Sequence, residues 1–199
     1  MQLKIEQSSK KGLPLYSKTS IAAVLATTLG LASFGDALAT ELDERWYVDF
    51  GGGIIVPDDD LRPTDAKIVT ARFGKHFHEE YALEIEAFHD EYEFGMDFPL
   101  EHDGISANLL IINREPLWNP YFLVGIGAVR SSGEGLPSET SAAISIGVGG
   151  RWQLTEGGTM LRADARLRYD TNDSDVPGND GYGDGVFTVS IAIPLGKKR

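Results

Sequence analysis

Met160–Tyr169, MLRADARLRY, decides the fold. Every second residue, Leu161, Ala163, Ala165, Leu167 and Tyr169, falls on one side, and Arg162, Asp164, Arg166 and Arg168 fall on the other. That is the period-two pattern of a β-strand; a helix, turning about 100° per residue, would scatter the charges around its circumference. The two faces need different surroundings. A soluble sheet would bury the apolar face and wet the charges. A closed barrel in a membrane would turn the apolar face to lipid and pair the charges in its lumen.

The same alternation recurs on both sides of this stretch. It predicts strands over Arg45–Val56, Lys67–Gly74, Tyr81–Tyr92, Ile105–Asn113, Pro120–Arg130, Ser141–Gln153, Met160–Tyr169 and Val186–Leu195. Between them the connections at 75–80, 114–119 and 154–159 read as short turns. Those at 57–65, 93–103, 131–140 and 170–185, rich in Gly, Pro and acids, read as longer loops. An even number of strands with connections sorted this way predicts an up-and-down meander, short turns at one end and long loops at the other.

Three patterns favour lipid on the outside. From the third strand onward the apolar faces carry almost no charge. The opposite faces set Gly125, Gly127, Gly147 and Gly149 beside Arg and Glu. A solvated face has no need of glycine, whereas a narrow lumen fills itself with large and small groups in alternation. Trp46, Trp118 and Trp152, with Tyr81 and Tyr121, all fall at the short-turn end, where an interfacial aromatic girdle would lie. The expected fold is all-β: an eight-stranded antiparallel up-and-down transmembrane β-barrel.

Composition agrees with this and narrows the partners. The chain has 199 residues, 42% hydrophobic, with no cysteine and a formal net charge of −12. Disulfides and thiolate metal sites are excluded, and a strongly acidic chain without a basic stripe makes nucleic acid an unsuitable partner. The N-terminus reads as an export signal over residues 1–39. Lys4, Lys10, Lys11 and Lys18 form a basic region, Ile21–Leu31 an apolar one, and Ala37-Leu38-Ala39 a small-x-small cleavage site. The apolar run is short of the ~20 residues a spanning helix needs. Residues 40–199 are then the barrel domain, and any residence in a membrane is through strands.

With RWYVDFGGG, YALEIEAF, NPYFLVGIGAVR, SIGVGGRWQLTEGGTMLRADARLRY and GVFTVSIAIPLG in this order, the chain resembles the barrel domain of the outer membrane protein A type. The resemblance implies a small outer-membrane barrel of Gram-negative cells with surface loops, monomeric, in contact with outer-membrane lipid and lipopolysaccharide.

Candidate chemistry centres on the lumen. Asp49, Arg72, Glu84, Glu86, Arg151, Arg162, Asp164, Arg166 and Arg168 all point to the charged side of their strands. Opposite charges in a dry interior must pair, because an unpaired buried charge costs several kcal/mol. They are expected to form a structural network plugging the barrel, with a narrow ion path, gated by rearranged pairs, as the other reading. Glu84 and Glu86 also have the spacing of a carboxylate pair, but no nucleophile with a positioned His accompanies them, so no enzyme is expected. His76 and His78 read as solvated residues of the first turn rather than metal ligands. The glycine clusters precede no helix, so no phosphate loop and no cofactor is expected. The acidic Asp170–Asp184 stretch reads as a solvated loop, at which divalent cations would be needed to bridge to anionic lipopolysaccharide. The expected role is structural or surface-interactive, with at most a narrow pore. The alternatives are a lipid A-modifying outer-membrane enzyme and a soluble periplasmic lipocalin-like binder.

Overall fold

A computed structural model describes residues 44–57, 65–93, 100–113, 118–133, 138–171 and 182–197. The export segment 1–39 and most of the acidic stretch after Asp170 lie outside the described residues. Eight strands follow in order: β1 Trp46–Val56, β2 Asp65–His78, β3 Tyr81–Glu93, β4 Leu100–Ile112, β5 Asn119–Gly133, β6 Glu139–Gln153, β7 Met160–Asp170 and β8 Tyr182–Pro194. Each pairs antiparallel with the next, and β1 also pairs with β8 from Tyr47↔Pro194 to Val56↔Gly185, which closes the barrel.

Several strands run past their sequence-derived ends. β2 reaches His78, β4 starts at Leu100 instead of 105, β5 ends at Gly133 and β8 starts at Tyr182 instead of 186. The alternation fades there because outward positions such as Glu91, Glu101, Asp103 and Arg130 have left the apolar zone, while the backbone ladder continues. The sorting of connections by length is corrected with it: 94–99 and 134–138 are no longer than 113–118 or 154–159. Only the β2–β3 turn, Glu79-Glu80 beside an irregularity at His76/His78, is tight.

The large apolar side chains lie outside. Ile85, Ile105, Ile126, Ile144, Ile146, Leu167 and Val189 form a belt, with exposure reaching 65% at Ile126. No soluble domain leaves a band of this size to water. At the turn end the belt is rimmed by stacked aromatics: Trp46 on Phe73 (4.8 Å), Trp118 on Trp152 (5.8 Å) and Phe77 on Tyr81 (6.0 Å). Tyr121 departs from its expected place. It is buried in the lumen, because Pro120 and Phe122 take the outward positions and parity turns the ring in.

Register explains the inward glycines. Gly147 pairs with Arg166, and Gly149 pairs with both Tyr121 and Asp164, so the glycines stand beside the largest lumen groups. A Cβ on Gly149 would sit 2.3 Å from the Tyr121 hydroxyl and 2.6 Å from the Ala163 carbonyl. Gly149→Val is therefore expected to destabilise the barrel by about 1–3 kcal/mol, as overpacked interiors do. A lowered urea midpoint of the refolded protein checks this, and an unchanged midpoint would show the lumen to be roomier than described.

Candidate functional site: the lumen charge network

All nine sequence-nominated charges, Asp49, Arg72, Glu84, Glu86, Arg151, Arg162, Asp164, Arg166 and Arg168, are buried inside the barrel. Their pairing follows from topology. β3 and β7 lie four strands apart in a ring of eight, so they face each other across the lumen. β3 supplies carboxylates and β7 supplies guanidinium groups: Glu84 meets Arg162 at 2.7 Å, Glu86 meets Arg166 at 2.6 Å and Asp90 meets Arg168 at 2.5 Å. Three cross-lumen ion pairs thus tie opposite walls together.

Around them the network branches. Arg72 donates to Asp49 Oδ1 (2.8 Å) and to Glu86 Oε1 (3.0 Å). Arg162 also donates to Asp164 (2.9 Å) and to the Tyr121 hydroxyl (2.7 Å), which itself donates to Asp164 Oδ1 (2.5 Å). Glu84 Oε1 further accepts from Tyr47 and from Arg151. Thr188 and Ser190 close the β8 side by donating to Asp164 Oδ2 and Asp49 Oδ2. In the middle tier Arg72, Arg151, Arg162 and Arg166 stand against Asp49, Glu84, Glu86 and Asp164, cation for anion. Such neutrality is what lets charges persist in a dry interior.

Several members of the network escaped the sequence reading. Asp90, Tyr92 and Asp184 surround Arg168 nearer the loop end, and Tyr47, Asn108 and Tyr121 bind the middle tier. Parity was the available signal: Asp90 and Tyr92 share the side of Glu84 and Glu86. His76 is also corrected. It is buried, not solvated, and its Nε2 lies 2.8 Å from Arg151 Nη1, because β2 carries on through the segment read as a turn. His78 is exposed and accepts the Glu80 N–H at Nδ1.

Outside the barrel, just beyond the apolar belt, His89 and Asp103 make a 2.8 Å contact. The hydrogen bond to Asp103 holds the imidazole pKa above its usual value. Among the described residues no serine or threonine hydroxyl hydrogen-bonds to His89, so the pair has no positioned nucleophile.

No protein-family model matches the chain, and no curated protein matches its sequence. Solved structures do match in shape. Neisserial surface protein A (NspA) superposes with a TM-score of 0.65 at 13% identity, over 78% of this chain and 100% of that one. The N-terminal β-barrel domain of Pseudomonas aeruginosa OprF gives a TM-score of 0.48 at 13% identity, over 77% of this chain and 100% of that one. The outer membrane enzyme PagL gives 0.47 at 15% identity, over 75% and 99%. At such identities likeness speaks for architecture, and here it joins the closed meander and the exposed apolar belt: the chain has the fold of the eight-stranded outer-membrane β-barrels.

Proposed function

We propose that the protein is a non-catalytic outer-membrane barrel that acts as a structural anchor and surface-contact element, exported through cleavage after Ala39. The observation that carries this reading is the filled lumen. Arg72, Arg151, Arg162, Glu84 and Glu86 are all essentially inaccessible, and their cross-lumen pairs leave no wide aqueous path through the middle tier. What remains available to partners is the belt and the loop end.

Just past the belt on β3 and β4, Glu91, Glu93, Glu101 and Asp103 point outward. At that level they would meet the phosphates of lipopolysaccharide, so divalent cations are the bridging partners this reading requires. A single barrel suffices for all of this, and the working unit is a monomer.

Planar-bilayer recording tests the plugged lumen. The unmodified protein is expected to show no steady conductance. Arg166→Ala, which removes a cross-lumen tie, is expected to raise the frequency of brief openings. A steady open level in the unmodified protein would replace the anchor reading with that of a narrow channel.

A further inference from the structure

Between the middle tier and the loop end, the lumen holds a cavity of about 20 Å³, enough for one or two water-sized occupants. Its walls divide by chemistry. Ile68, Phe88, Ala143 and Val186 line it with hydrocarbon, and Ser106, Ser145, Glu86, Arg166 and Arg168 supply the polar lining.

The polar groups are not equally spent. Glu86 has no free acceptor: Oε1 takes Arg72 Nε, and Oε2 takes Arg166 Nη1 at 2.6 Å and Asn108 Nδ2 at 2.8 Å. Arg166 is 8% exposed, yet its Nε and Nη2 have no hydrogen-bond partner. The nearest anion to Nη2 is Asp164 Oδ2 at 3.7 Å, beyond hydrogen-bond reach. A buried guanidinium with idle N–H groups is costly, and only an acceptor can satisfy it. The cavity therefore offers donors and grease and asks for an acceptor.

From this we infer that the cavity is a binding site for a small, weakly hydrated monovalent anion of halide size, held by Arg166 Nε and Nη2 against the apolar wall. A divalent oxyanion is too large for the space, and a cation would meet only donors. The site is separate from the outer-surface role proposed above and stands or falls independently of it.

Bromide is the probe. Crystals grown in sodium bromide are expected to show an anomalous peak in the cavity within hydrogen-bond reach of Arg166. In detergent, the thermal midpoint is expected to be higher in sodium bromide than in sodium gluconate at equal ionic strength. Arg166→Gln and Ala143→Leu should each abolish both signals. The second fills the cavity from its apolar wall and leaves every charge in place, so it covers the case in which the first does not fold. Water in the cavity without anomalous density, or a bromide effect that survives Ala143→Leu, overturns the proposal. Density without any salt-dependent midpoint identifies an adventitious ion only and overturns it as well.

Discussion

Replacing Arg162 by alanine is expected to destabilise the barrel by about 3–5 kcal/mol, the range found when one partner of a buried ion pair is removed. Arg162 is completely buried and serves Glu84, Asp164 and the Tyr121 hydroxyl at once, with Asp49 Oδ2 3.9 Å away. Its loss leaves Glu84 with Arg151 alone. Asp164 is left to Arg72 and Arg166, at 3.6 and 3.7 Å. Urea unfolding in lipid vesicles, read by tryptophan emission and by the gel mobility of unheated samples, measures the loss. Arg162→Met combined with Glu84→Gln is expected to fold better than Arg162→Ala, since removing both charges leaves less uncompensated. A cost below about 1 kcal/mol for Arg162→Ala would mean that the middle tier is wet, because exposed ion pairs are worth no more than that.

The second large effect belongs to the outer face. Ile146 is 47% exposed and sits between outward Val124 and Leu167, its partners on β5 and β7. Ile146→Arg is expected to cost about 2–4 kcal/mol in a bilayer, the penalty for a guanidinium on the lipid face near the midplane. A water-facing position would tolerate the same change within about 0.5 kcal/mol. The sign of the environment is thus read from one substitution by vesicle unfolding titration, with Arg130, already outward near the loop end, as the level at which charge is accepted.

Much of this was legible in the sequence because a barrel strand reports both of its surroundings. Met160–Tyr169 alternates without a break, so the inward set Arg162, Asp164, Arg166 and Arg168 could be named without knowing its partners. Partners required topology. That Arg162 faces Glu84 follows only once β3 and β7 are placed opposite each other in a closed ring of eight. Other features were hidden by weaker signals. Tyr121 looked like a girdle residue by type and by its position at a strand start, yet parity with Leu123 sends it inward to Asp164. His76 looked like turn because Lys75 and His78 surround it with polarity, although β2 is still paired there. Asp90 and Asp184 were missed because acids near strand ends resemble loop, and only the structure shows both holding Arg168. The apparent sorting of loops by length came from the same source, since strand ends were placed where hydrophobic alternation stops and not where pairing stops.

The inside-out sheet has a direct physical test. The chain contains no cysteine, so Ile146→Cys carrying a nitroxide places a single reporter in the middle of the belt. In lipid vesicles the account predicts frequent collisions with dissolved oxygen and few with a water-soluble nickel chelate, with the reverse for a nitroxide at Glu91→Cys. A reporter at position 146 that is open to the nickel chelate, or shielded from both relaxants as in a protein core, would contradict it.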